Sequence, residues 1–312
     1  MLQWMQCNSY CGKRMPSYQI QHNYSKESYQ CLQSNIFSFV CMKLLKIILF
    51  FPFLLQLSCS PNKYAVTNKV YKKQAKSFGK LIAQYPLQGQ DAKAKDWVGT
   101  TNFGLRKPNF VIIHHTAQNS CDQTLQTFTL PRTQVSAHYV ICRDGRVYHM
   151  LNDYLRAWHA GVGAWGNDQD INSSSIGIEL DNNGFEPFPP AQINSLLTVL
   201  DTLKSRHRIP IGNFIGHADI APSRKRDPNI NFPWQQLSQK GFGLWPQDTT
   251  NMVLPAEFNV LQALRIIGYS TKDSNAAIIA FKRHFLNQDS SNLVTVPEKK
   301  IVYSLMLQSL TQ

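Results

Sequence analysis

Between residues 110 and 216 short apolar runs alternate with polar loops around one amphipathic helix, and this pattern restricts the chain to an α/β fold. Phe110-Val-Ile-Ile113 reads as a buried strand. Tyr139–Arg143 and Arg146–Met150 read as a hairpin, with Asp144-Gly145 as its tight turn. Ser175–Leu180 alternates, placing Ile176, Ile178 and Leu180 on one face and Gly177 and Glu179 on the other. On that second face Gly177 is expected to leave room for a substrate beside Glu179. Asn213-Phe-Ile-Gly216 is the last strand. Pro190–Arg206 carries Ile193, Leu196, Leu197, Leu200 and Leu203 at helical spacing, with Pro190 suited to its first turn and Pro210 just beyond its end. The expected architecture is a central mixed β-sheet flanked by helices.

Trp245-Pro246 and the polar stretch 247–251 mark a boundary. Beyond it, Pro255–Ile267, Ser274–Leu286 and Pro297–Leu310 have helical periodicity, with Gly268 stopping the first. The α/β domain is therefore expected over 101–246 and a small three-helix C-terminal domain over 252–312, a size that can just support a core of its own.

The front of the chain is different. Of the seven cysteines, five precede residue 60. From Met42 the chain runs Lys43, Lys46, the apolar stretch Ile47–Leu55 and then Leu57-Ser58-Cys59. A nine-residue apolar run behind two lysines suits a signal peptide and is too short to span a bilayer. It resembles a bacterial lipoprotein signal over 42–58, with Cys59 as the lipidated first residue. The alternative is a secretory signal cleaved near Ser58 without lipidation. Either way the protein is exported, and residues 1–41 read as an upstream extension absent from the mature protein. A four-cysteine metal site at Cys7, Cys11, Cys31 and Cys41 is disfavoured by the nine residues separating the last two. Cys121 and Cys142 are open to either a free-thiol or a disulfide reading.

The net charge of +13 points to an anionic partner. Eight lysines between residues 60 and 95 face a single acid, Asp91, so 59–100 reads as a basic tether able to meet anionic lipid or an anionic wall polymer. With no recognisable nucleic-acid motif and the lysines concentrated in the tether, nucleic acid is not expected as a partner. Nothing points to a second subunit, and a monomer is expected.

Chemistry-bearing residues gather at strand ends, where open α/β sheets place their sites. His114 and His115 follow the first strand and His217 the last. The loop His217-Ala-Asp-Ile-Ala-Pro-Ser-Arg-Lys-Arg-Asp-Pro228 adds Asp219, Lys225 and Asp227, stiffened by Pro222 and Pro228. Two histidines and one carboxylate leave the fourth position of a zinc ion open for water, and either Asp219 or Asp227 can supply the carboxylate. On the polar face of its strand, Glu179 offers a carboxylate that can serve as general base near zinc-bound water.

Five segments together resemble the type 2 N-acetylmuramoyl-L-alanine amidases, a zinc family related to the peptidoglycan recognition proteins. They are Val111–Ala117, Ser136–Tyr139, Arg156–Gly161, Ser175–Leu180, and Gly216–Pro222 with Lys225 and Asp227-Pro228, in family order across about 120 residues. The resemblance implies zinc held by His114, His217 and Asp227, with Asp219 holding the loop. It implies Glu179 as catalytic glutamate, Lys225 as the oxyanion-stabilising lysine, and substrate contacts from His115, Trp158 and His159. The implied reaction is hydrolysis of the amide between the lactyl group of N-acetylmuramic acid and L-alanine in peptidoglycan or muropeptides. The C-terminal helices resemble a peptidoglycan-binding domain, and with the lipoprotein-like start the family implies an outer-membrane lipoprotein on the periplasmic side. A non-catalytic peptidoglycan-binding receptor is the rival reading; the filled ligand and catalytic positions argue against it.

Overall fold

The computed structural model describes residues 62–83, 100–288 and 290–311. The upstream extension 1–41, the signal at 42–58 and Cys59 lie outside the described residues. The described residues divide into two units, one holding 62–83 and the other those from 100 onward. The first contains α1 (Ala65–Ala83), a helix with no buried residue, within the segment expected as a tether.

The second unit is built on five strands, β1 (Phe110–His115), β2 (Tyr139–Ile141), β3 (Val147–His149), β4 (Ser175–Leu180) and β5 (Phe214–Gly216). Their order is β3-β2-β4-β1-β5. β3 runs antiparallel to β2 through the expected Asp144-Gly145 hairpin, and the other pairs are parallel, so the sheet is mixed. Val111, Ile113, Ile176, Ile178 and Leu180 pack against Ile193, Leu196, Leu200 and Leu203 of the helix Pro190–His207, the expected amphipathic stripe. Phe110, Ile112 and Ile215 face the other way, onto Ala160, Ile171 and Ile220.

Both faces of β4 are therefore buried, although its alternation suggests one half-polar face. The space over Gly177 holds the ring of His159: a Cβ at residue 177 would stand 2.4 Å from His159 Cγ. Gly177 thus makes room for a side chain of this protein, which corrects the expectation that it makes room for substrate.

Four short helices were not legible in the sequence: α2 (Cys121–Thr129), α3 (Ile171–Ser174), α5 (His217–Ile220) and α6 (Trp234–Gln239), α4 being Pro190–His207. At four to nine residues they are too brief to display a helical period. Cys121 and Cys142 form a disulfide that ties the start of α2 to the end of β2.

The last three helices are α7 (Val260–Ile267), α8 (Ser274–Leu286) and α9 (Val296–Ser309). The first begins later than its apolar pattern because the Asn259 side chain accepts from the backbone N–H groups of Leu261 and Gln262, capping it there. Asp273 caps α8, and Thr295 with Glu298 forms a capping box on α9. Their core, including Leu264, Phe281 and Leu305, also takes in Trp165, Leu244 and Trp245.

Candidate active site

The parallel register of β1 and β4 sets His114 opposite Glu179. Both lie on the face away from α4, as does Ile215, whose alternation continues into His217 at the start of α5. The chain then loops through residues 218–226 to Asp227, and the Ala218 N–H to Asp227 carbonyl bond at 2.7 Å closes that loop.

His114, His217 and Asp227 converge and are all buried. His114 Nδ1 is 2.9 Å from His217 Nδ1 and 3.1 Å from Asp227 Oδ2, and His217 Nδ1 is 3.0 Å from the same oxygen. Donor atoms around a tetrahedral ion with bonds near 2 Å stand about 3.3 Å apart, so the trio has the spacing of a zinc half-shell.

The tautomers agree with this. His217 Nε2 lies 2.9 Å from the Ala160 carbonyl, which can only accept, so in the neutral ring Nε2 carries the proton and Nδ1 is bare. On the other side the Ser175 hydroxyl donates to the Ile171 carbonyl and accepts from His159 Nε2 at 3.2 Å. His159 Nδ1 is then an acceptor for His114 Nε2 at 3.1 Å, and His114 Nδ1 is bare in turn. With both rings neutral, two lone pairs and a carboxylate oxygen face one another with no proton among them. That is a mutual repulsion which a cation relieves. Burial, then the neighbouring His217, lowers the His114 pKa to about 4, so protonation of His114 does not relieve it near neutrality.

Glu179 stands beside this group. Burial pushes its pKa up to about 8, Asp227 adds to the rise, and Lys225 opposes it. Its Oε2 has no hydrogen-bond partner among the described residues. The Lys225 ammonium likewise has none there, although its charge acts on both His114 and Glu179.

The other expected residues are spread out. His159 is 8% exposed and sits behind His114, so its contacts are with the protein. His115 is half-buried with its ring against Gly184. Trp158 is 53% exposed, with its backbone N–H donating to Ser136 Oγ. Asp219 stands outside the candidate ligand group. Its carboxylate accepts from the Gly216 N–H at 2.7 Å, the Tyr269 hydroxyl at 2.7 Å and His284 Nδ1 at 2.8 Å. Sequence reasoning missed Asn172, whose Oδ1 accepts from the N–H groups of both His159 and Ala160, and missed Ser175, Tyr269 and His284. No sequence signal marks them, because each acts on residues distant in the chain.

A mixed α/β sheet bearing a buried two-histidine, one-aspartate cluster beside a protonatable glutamate defines a hydrolase-like scaffold with a candidate metal centre. The family described as N-acetylmuramoyl-L-alanine amidase matches residues 104–230. The chain is 36% identical over 206 residues to N-acetylmuramoyl-L-alanine amidase AmiD of Escherichia coli, covering 56% of this chain and 74% of that one. It is 41% identical over 103 residues to 1,6-anhydro-N-acetylmuramyl-L-alanine amidase AmpD of Enterobacter cloacae, covering 33% of this chain and 55% of AmpD. Among solved structures, AmiD from E. coli in complex with anhydro-N-acetylmuramic acid-L-Ala-D-gamma-Glu-L-Lys superposes with a TM-score of 0.59 at 30% identity, covering 67% of this chain and 93% of that one. AmpDh3 from Pseudomonas aeruginosa with anhydromuramic pentapeptide gives 0.60 at 27% identity, covering 71% and 99%. The chain belongs to the type 2 N-acetylmuramoyl-L-alanine amidase family and is an amidase.

Proposed function

We propose that the chain hydrolyses the amide between the lactyl group of N-acetylmuramic acid and L-alanine in muropeptides, including those with anhydromuramyl ends. The observation that carries this reading is the pairing of Glu179 with His114 across β1 and β4, beside three bare donor atoms. The AmiD and AmpDh3 complexes with anhydromuramyl peptides support the substrate class.

His114, His217 and Asp227 would hold zinc. Bound there, zinc supplies a Lewis acid for the scissile carbonyl and eases deprotonation of water. Glu179, with its Oε2 unpartnered among the described residues, accepts a proton from the attacking water and passes it to the leaving L-alanine nitrogen. Lys225, whose ammonium has no hydrogen-bond partner among the described residues, stabilises the charge developing on the carbonyl oxygen. His159 holds the His114 ring in its tautomer, and Ala160 does the same for His217. His115 and the exposed Trp158 are the proposed substrate contacts. Incubation with purified muropeptides, with and without chelator, tests the reading: zinc-dependent release of stem peptide is expected. Binding without release would favour the receptor.

The proposed setting is the periplasmic side of the envelope, with a lipid on Cys59 holding the protein to the outer membrane. Supporting this, α1 gathers Lys69, Lys72, Lys73, Lys76 and Lys80 within about 100° of arc, opposite an arc of about 160° holding Val66, Val70, Tyr71, Phe78, Leu81 and Ile82. A cationic helix with an exposed apolar face suits an anionic lipid surface. Mass spectrometry of the envelope-extracted protein should find a lipidated Cys59 as first residue. An unmodified N-terminus at that position would leave only the secretory reading, and an intact Met1 would remove both.

A further inference from the structure

The loop joining the two later candidate ligands is held from outside the α/β region. Asp219, two residues after His217, is 2% exposed, and two of its three hydrogen bonds come from the helical region. The Tyr269 hydroxyl donates to Oδ1 at 2.7 Å and His284 Nδ1 to Oδ2 at 2.8 Å. Arg283 Nη1 donates at 2.7 Å to the carbonyl of Arg226, the residue immediately before Asp227. The three donors are buried, at 1%, 5% and 4% exposure for Tyr269, Arg283 and His284. The His284 ring is itself fixed, stacked on Trp234 of α6 with centroids 3.8 Å apart. Tyr269 follows Gly268, and its ring meets Trp165 edge-on at 4.9 Å.

A contact that merely docked two domains would have no reason to converge on both ends of one ten-residue span. We propose that Tyr269, Arg283 and His284 are positioning residues for the metal centre: by holding Asp219 and the Arg226 carbonyl they set the separation of His217 and Asp227. The inference rests on the reading of His114, His217 and Asp227 as the ligand set. A buried carboxylate stripped of two donors keeps its desolvation cost, so the span relaxes until Asp219 finds water, and α5 carries His217 with it. The helical region is thus part of the catalytic unit, whatever else it binds.

The test uses the full chain. Tyr269→Phe removes one hydroxyl and keeps the ring packing. His284→Phe keeps a ring to stack on Trp234 and removes the donor, whereas His284→Asn returns a donor near the Nδ1 position. Zinc affinity is measured by competition with a chromophoric chelator, alongside thermal unfolding of the chelated protein and kcat and KM on a muropeptide. For Tyr269→Phe with His284→Phe, a loss of zinc affinity of about 10–100-fold is expected, the range seen when partners behind a ligand are removed. KM should be unchanged, and His284→Asn should recover part of the affinity lost in His284→Phe. Zinc affinity equal to that of the wild type, with only the unfolding temperature lowered, overturns the proposal and leaves the contacts a fold-stabilising role. If the double variant does not fold, Tyr269→Phe alone decides it: a smaller loss in the same direction supports the inference, and no loss overturns it. A wild type that takes up no zinc overturns the ligand reading and this inference together; a wild type that binds zinc beside variants that bind it equally well overturns this inference alone.

Discussion

The Glu179 carboxyl is buried with no hydrogen-bond partner for Oε2 among the described residues, and its pKa is pushed up to about 8. Replacing it with alanine is expected to keep zinc content and to lower turnover by about 10²–10⁴-fold, read by elemental analysis and muropeptide cleavage. Near-normal turnover in a zinc-loaded variant would remove Glu179 from the mechanism. The shift also has a thermodynamic consequence. Between its ordinary value of 4.5 and about 8 the folded chelated protein keeps a proton that the unfolded chain gives up. The associated stability is whole below pH 4.5 and is lost as pH rises to about 8. Chelated Glu179→Gln should therefore gain on the wild type in unfolding temperature between pH 5 and pH 8. A cation at the three donor atoms favours the ionised carboxylate. Calorimetric titration with zinc at pH 7 in two buffers should therefore show more proton release from the wild type than from Glu179→Gln. His114, His217 and Asp227 were legible as candidates because they sit at strand ends and on a proline-bounded loop. The tautomer relay through His159 and Ser175 was not, since it is set by contacts between residues far apart in sequence.

At the scale of elements, β4 shows why alternation misleads in a parallel sheet. Gly177 and Glu179 read as a polar face, yet His159 covers Gly177 and the strand is buried on both sides. Gly177→Ala forces the His159 ring off its position behind His114. A destabilisation of about 1–3 kcal/mol is expected in denaturant unfolding, the usual cost of overpacking, together with weaker zinc binding. Full stability would mean that the ring has another place to go. The Cys121–Cys142 disulfide closes a loop of sequence separation 21 with Cα atoms 5.3 Å apart. Replacing both cysteines by serine should cost about 2–4 kcal/mol, measured under oxidising conditions, with no change in zinc content because neither residue touches the site. The sequence left this pairing open because spacing along a chain does not set separation in space.

At the scale of the molecule, the helical region and the sheet share side chains. Trp245 packs against both the α4-side core and the core of α7–α9, and Trp165 packs against the latter and the core around Ile112. Calorimetry of the full chain should accordingly show one cooperative transition for residues 85–312, with calorimetric and van't Hoff enthalpies equal. Two resolved transitions would mean that the regions unfold independently. The sequence alone determined the five strands in chain order, the longer helices, the hairpin and the set of residues able to bind a metal, because local periodicity, turn chemistry and side-chain type carry those. It also carried the family, through five segments in order. The family resemblance already implied Asp227 over Asp219 as the ligand, and only the tertiary structure decided what holds Asp219 in its place. Both are carboxylates on the same loop, but Tyr269 and His284, from the C-terminal helical region, donate to Asp219, while Asp227 Oδ2 lies 3.1 Å and 3.0 Å from the Nδ1 atoms of His114 and His217. Such choices depend on register and on contacts between residues remote in the chain, and no pattern confined to one segment can encode them.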